Sequence, residues 1–72
     1  MIEVFKTNVQ LKKDAKRIIA LLTSKLEGHK INFDLSDCDK ILRIESVNRE
    51  ISIQNVEKWM QHEGFICEVL PD

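Results

Sequence analysis

The sequence has no tyrosine, only two glycines and one proline, and aromatic residues make up 6% of the chain. This composition excludes collagen-like repeats and low-complexity segments rich in glycine and proline. No apolar run is long enough to span a membrane, and the first residues lack the apolar segment of a signal peptide. We therefore expect a cytoplasmic protein that does not enter a membrane.

The chain also has too few cysteines for a disulfide framework. Cys38 and Cys67 are its only two cysteines. The sequence places Cys38 at a hairpin tip and Cys67 in a strand. Free thiols in a reducing compartment are the simpler interpretation of such a pair.

Neither sign of charge dominates, but the two signs are unevenly distributed along the chain. The net charge of -1 argues against general nucleic-acid binding. Residues 1–30 contain seven Lys or Arg and three acidic residues, whereas residues 31–72 contain four and nine. This polarity either steers association with a charged partner or leaves two solvated faces of opposite sign.

Hydrophobic periodicity predicts six secondary-structure elements in one small domain of 72 residues. Gly28 and Gly64 are expected to end the two helices, and Ser52 is expected to cap the second one. Polar residues 36–39 predict a turn, and residues 47–50 predict a connector. The predicted strands are residues 2–8, 30–35, 40–45 and 65–70, and the predicted helices are residues 11–26 and 53–63.

Each predicted helix carries one apolar stripe. In the first helix, Leu11 is expected to fold back as the first member of the stripe, although it could instead be a contact residue. Trp59 in the second helix is expected to lie in the core or half in it. The stripe residues are Leu11, Ala15, Ile18, Leu22 and Leu26 in the first helix, and Ile53, Val56 and Met60 in the second.

The order of these elements is βαββαβ, which predicts an α+β fold. Right-handed crossovers turn this order into a ferredoxin-like sandwich, a four-stranded antiparallel sheet with two helices on one face. Three loops then share one end of the molecule, at residues 10–14, 36–39 and 62–64. A functional site is therefore sought among these loops.

Four short features occur in a characteristic order. They are the Ile18/Leu22 spacing, Gly28 before the second strand, the strand end Phe33-Asp34-Leu35, and the corner Glu63-Gly64-Phe65. In this order the chain resembles the heavy-metal-associated domain, the fold of copper chaperones and of metal-ATPase tails. The resemblance covers nearly the whole chain and implies one domain of that type over residues 1–72.

The resemblance also implies a metal site, which this chain does not retain. The family binds soft cations such as Cu(I) through Met-x-Cys-x-x-Cys at the first strand–helix turn, where two thiolates hold the ion. Alignment on Gly28 and the helix spacing places Val9 at the Met, Leu11 at the first Cys and Asp14 at the second. Leucine cannot ligate a metal, and a carboxylate is a weak ligand for copper. The thiolate site is therefore lost, and no cofactor is expected.

A different metal site is the alternative. Asp14, Cys38 and His62 all fall at the predicted loop end, and this ligand set is acceptable to one Zn or Cu ion. The three ligands lie on separate loops. His62 could also be a cation at a helix end, and Cys38 could be only a turn residue.

Catalysis and RNA binding are not expected. The sequence has no nucleophile–base motif and no glycine-rich phosphate loop, and a Cys38–His62 thiolate pair lacks an orienting third group. We therefore predict that the chain is not an enzyme. RNA-recognition modules stack bases on sheet aromatics, and the outward positions of the predicted hairpin carry none. Those positions are Lys30, Asn32, Asp34, Arg43 and Glu45.

A group of basic residues begins the first helix and forms the best candidate binding surface. In the heavy-metal-associated family, a basic first helix near the loop end docks acidic partners. The resemblance therefore implies a small protein-interaction or regulatory module with an acidic protein partner. A homodimer that forms through an edge strand is not excluded by the sequence. The expected partner-binding residues are Lys12, Lys13, Lys16 and Arg17.

Overall fold

The structure, a computed structural model, describes residues 1–47 and 50–71 of the chain. Strands and helices follow one another in the order strand, helix, strand, strand, helix, strand. This is the order that periodicity predicts. The elements are β1 (Ile2–Thr7), α1 (Lys12–Lys25), β2 (Lys30–Asp34), β3 (Ile41–Glu45), α2 (Ile53–His62) and β4 (Cys67–Val69).

The four strands form one antiparallel sheet in the order β2-β3-β1-β4. Phe5 lies opposite Leu42, and Ile31 lies opposite Ile44. Because strand side chains alternate between faces, this register places these four apolar residues on one face of the sheet. The fold is therefore α+β with a four-stranded antiparallel sheet and two helices, which is compatible with a ferredoxin-like fold.

One hydrophobic cluster contains the buried residues of both helices and of the apolar sheet face. Its helix members follow the predicted stripes at Ile18, Leu22, Val56 and Met60, all of which are fully buried. Trp59 is half-buried and packs against the cluster, as the sequence predicts. The other buried hydrophobic members are Phe5, Val9, Ala15, Ile31, Leu42, Ile44, Ile51 and Cys67.

Leu11 does not fold back onto the core, so the preferred prediction for this residue is wrong. It is the N-cap of α1, makes no side-chain capping bond and is 53% exposed. The preceding turn explains the difference, because Val9 is fully buried there. With Val9 in the core, the helical stripe begins at Ala15.

Glycines end both helices as expected. Gly28 has a φ of 79° and Gly64 a φ of 89°, the left-handed region in which a side chain is disfavoured. Ser52 caps α2 as predicted, since its hydroxyl oxygen accepts a hydrogen bond from the Asn55 amide at 3.4 Å. The two helices begin and end within one residue of their predicted bounds.

All four strands are shorter than predicted. β1 ends at Thr7, β2 at Asp34 and β4 at Val69, each one residue before its predicted end. β3 begins at Ile41 and not at Lys40, because Lys40 completes the hairpin turn with a φ of 48°. β4 begins only at Cys67, because the amide of Phe65 bonds the Met60 carbonyl and the amide of Ile66 bonds the Asn8 side chain. Both amides bond groups outside the sheet, so the sheet ladder starts later.

The remaining predictions concern the connector, the two cysteines and the membrane. The predicted connector over residues 47–50 includes Asn48 and Arg49, which lie outside the described residues. Cys38 is exposed, Cys67 is buried, and both are free thiols as expected. Within residues 1–47 and 50–71, neither helix has the length and apolar character needed to cross a membrane.

Candidate functional site

The end of β1 is joined directly to the β2–β3 hairpin. The buried Thr7 hydroxyl donates to the Lys40 carbonyl at 2.6 Å and accepts from the Val9 amide at 3.2 Å. The Thr7 amide also donates to the Asp39 carbonyl at 3.0 Å. These bonds hold the β1–α1 turn against the hairpin, so two of the three predicted loops do share one end.

Arg17 connects α1 to the third loop. Its guanidinium donates to the Glu63 carboxylate, lies 3.9 Å from the Asp14 carboxylate and stacks 5.9 Å from the centre of the Phe65 ring. The ion pair joins residues 46 positions apart in sequence. Two acids therefore offset the charge of Arg17, and this residue contributes less to a partner-binding surface than the sequence predicts.

The other three predicted binding residues remain free for a partner. Lys12, Lys13 and Lys16 are exposed on the first two turns of α1. None of them forms an ion pair with another residue in the described ranges. We call Lys12, Lys13 and Lys16 the basic row. It is a compact patch of uncompensated positive charge.

A shallow groove lies beside the basic row, between α1 and the end of β2. Its volume is about 330 Å³, and its rim includes Lys12 and Lys16. The Asp34 carboxylate at the rim accepts hydrogen bonds from the Ser36 hydroxyl at 2.6 Å and from its amide at 3.2 Å. The Ser36 hydroxyl bond is the main reason that the pKa of Asp34 is lowered. The apolar residues that line the groove are Ala15, Ile19, Phe33 and Leu35.

A wider groove separates the outer sides of the two helices. It has a volume of about 770 Å³ and is lined by Trp59, Lys25 and His62 among others. The Lys25 ammonium lies 5.3 Å from the centre of the Trp59 ring. This contact covers part of the indole ring with a cation, which leaves less of Trp59 available as an apolar anchor.

The predicted metal ligands do not gather as one set. Cys38 groups with Asp37 and Asp39, whose ligand atoms and the thiol lie within 4.8 Å of one another. Asp14 and His62 are not members of this group; Asp14 pairs with Arg17 instead. The hairpin explains why Cys38 groups with Asp37 and Asp39, because Cys38 is at the hairpin tip and its nearest acids are its own neighbours in sequence.

The Asp37–Cys38–Asp39 group is already used by the fold. An Asp37 carboxylate oxygen accepts from the Asp39 amide at 2.8 Å, which shapes the turn. The Asp39 carboxylate pairs with the Lys6 ammonium at 3.8 Å. A metal ion would have to displace these partners, and it would gain only one soft ligand.

We therefore expect Zn(II) and Cu(II) to leave the melting temperature of the purified, untagged chain unchanged. A metal that binds only the folded state must raise that temperature, by an amount that grows with the logarithm of its concentration divided by its dissociation constant. The measurement is thermal unfolding with each ion in turn. A rise that disappears in Cys38→Ser or His62→Ala would overturn this prediction and restore the metal alternative.

The groove and the Arg17–Glu63 pair are not among the features predicted from the sequence. Ile19 widens the α1 stripe, and Phe33 and Leu35 alternate at the end of β2, so their apolar periodicity was a usable signal for the groove. No local sequence pattern predicts a pair as distant in sequence as Arg17 and Glu63. The site is thus a row of free lysines beside an apolar groove.

No protein-family model matches the chain, and no curated protein or solved structure matches it either.

Proposed function

We propose that this chain is a small protein-interaction module that binds an acidic protein partner through the basic row. We further propose that its fold is a ferredoxin-like sandwich of the heavy-metal-associated type that has lost the thiolate metal site. The strand order β2-β3-β1-β4 and the single core cluster support this fold. The module acts by binding in the cytoplasm and carries out no catalysis.

The free basic row is the observation that carries the proposal. Exposed lysines contribute little to folding even when they form surface ion pairs. Here Lys12, Lys13 and Lys16 are adjacent and lack ion-pair partners among the described residues, whereas Arg17 close by has two. Such a patch attracts acidic surfaces and raises the association rate with them.

The lost thiolate site supports binding without a metal. Val9, which aligns with the family's methionine, is buried in the core, and Leu11, which aligns with the first cysteine, is exposed at the turn. Leu11 therefore adds an apolar side chain next to the basic row. A partner surface with carboxylates around an apolar residue would match both features.

The test uses a fluorescently labelled peptide of alternating glutamate and valine as the probe. We expect the double variant Lys12→Glu/Lys13→Glu to weaken peptide binding at least about tenfold, because two attractive contacts become repulsive. Acidic residues in the first turn of a helix favour the helix dipole, so these changes should not unfold α1. Fluorescence anisotropy at an ionic strength of about 0.1 M, where the Debye length is about 10 Å, measures the affinity.

The matched control is Arg43→Glu/Lys58→Glu, which changes the net charge equally at two exposed positions outside the basic row. This control should bind the peptide within about twofold of the parent chain, since exposed charges beyond a Debye length of about 10 Å are largely screened. Equal losses in both double variants would show that only net charge matters, and the proposal would then fail.

A further inference from the structure

The two edges of the sheet differ in how well they are protected. β4 has three residues, whereas β2 has five and pairs without interruption along β3. Within the described part of the chain, β2 has no strand on its other side. It contains no proline and no bulge, the devices that commonly block an edge. Among residues 1–47 and 50–71, no backbone hydrogen bond outside the sheet occupies the amides or carbonyls of β2, so its outer groups can bond an added strand.

The charges of β2 lie at its ends and on the open face of the sheet. Lys30 and Asp34 are exposed and alternate with Ile31 and Phe33, which face the core side. These two charges flank the free edge without covering its middle. An added strand can therefore reach the central backbone groups of β2.

The groove continues this edge on the helix side of the sheet. Ile19 from α1 and Phe33 from β2 are both half-buried and both line it. A strand added beside β2 would direct every second side chain towards α1. An apolar side chain at such a position would enter the groove, and nearby acidic side chains would come within reach of Lys12 and Lys16.

We propose, on the basis of the proposed function, that the acidic partner binds as an extended segment that pairs with the free edge of β2. One of its apolar side chains occupies the α1–β2 groove, and its carboxylates contact the basic row. Backbone bonds to β2 supply affinity, and the groove together with the lysines supplies specificity. Charge complementarity selects an acidic occupant, since Lys12 and Lys16 outnumber the single rim carboxylate of Asp34.

The test compares two labelled peptides of identical composition. In one peptide glutamate and valine alternate, and in the other the valines form a central block between glutamates. The alternating peptide should bind at least about fivefold more tightly, because strand pairing places its valines on one face. Hydrogen exchange measured by NMR should slow for amides within Lys30–Asp34 on binding, and not for amides within Cys67–Val69.

A pair of matched variants tests the groove. Ile19→Ala removes a groove wall and should weaken binding of the alternating peptide about fivefold. Ile53→Ala makes the same change at a half-buried isoleucine of α2, outside the groove lining, and should leave the affinity unchanged. If both variants weaken binding equally, the groove is not the apolar subsite and the proposal is overturned.

The possible failures are distinguishable. If both peptides bind equally and lose affinity in Lys12→Glu/Lys13→Glu, but β2 amides are not protected, the proposed function stands and strand addition is overturned. If neither peptide responds to that double variant, the proposed function itself fails. Sedimentation equilibrium of the free chain tests whether a second copy of the chain occupies the β2 edge. A dimer with protected β2 amides would show this and would also overturn the proposal.

Discussion

Replacing Phe5 with alanine is expected to remove about 3–5 kcal/mol from the free energy of unfolding, the usual cost of a large cavity in a core. Phe5 is fully buried, pairs with Leu42 in β3 and Val69 in β4, and belongs to the cluster that joins both helices to the sheet. A domain of this size has only roughly 4–11 kcal/mol of stability in total. Urea unfolding followed by circular dichroism measures the loss.

Phe65→Ala is the matched control for this experiment. Phe65 is half-buried at the corner after α2, where Arg17 lies over its ring. The same chemical change should cost only roughly 1–2 kcal/mol there, because less apolar area leaves water on folding. Equal losses for the two phenylalanines would contradict the described packing of β1 against the helices.

The Cys67 thiol is expected to react with iodoacetamide at pH 8 at least about 50-fold more slowly in the folded chain than in urea. Cys67 is 7% exposed on β4, and burial, with a smaller effect of the Glu57 charge, raises its pKa from 9.0 to about 12. The thiolate is the reactive form, and this shift lowers its fraction about 1000-fold. The greater nucleophilicity of a more basic thiolate offsets only about 20-fold of that loss.

The measurement uses the Cys38→Ser variant, so that mass spectrometry follows one thiol. The control is Cys67→Ser, in which the exposed Cys38 should label at similar rates in the folded chain and in urea. Comparable labelling of Cys67 in both conditions would show that β4 opens readily or that its inward face is not buried. Rapid opening would also weaken the contrast between the two sheet edges on which strand addition at β2 depends.

Most of the fold could be predicted because its signals are local. Alternation at Ile31 and Phe33 and helical spacing at Ile18 and Leu22 assign these residues to the core side. The errors at the starts of β3 and β4 occur where backbone groups change partner. Lys40 leaves the strand because the hairpin turn needs its left-handed conformation, and residues before Cys67 leave it because their amides bond the α2 turn and Asn8.

The candidate site was less predictable because its residues depend on distant partners. The four basic residues of α1 look equivalent in sequence, yet Glu63 and Asp14 pair with Arg17 and leave the three lysines free. The sequence predicts a metal set of Cys38 with the distant Asp14 and His62, but only the adjacent Asp37 and Asp39 group with Cys38 among the described residues. Such choices depend on how loops pack.

The sequence by itself determined the type and order of the six elements, the core stripes except for Leu11, and the absence of a thiolate pair at the first turn. These properties follow from side-chain periodicity and residue identity, which are local. Tertiary structure alone decided that Leu11 is exposed, that Arg17 is paired and that a groove opens beside β2. Each of these depends on which surfaces meet when α1 packs on the sheet. Arg17 and Glu63 are 46 positions apart in sequence, so no local sequence pattern predicts their contact.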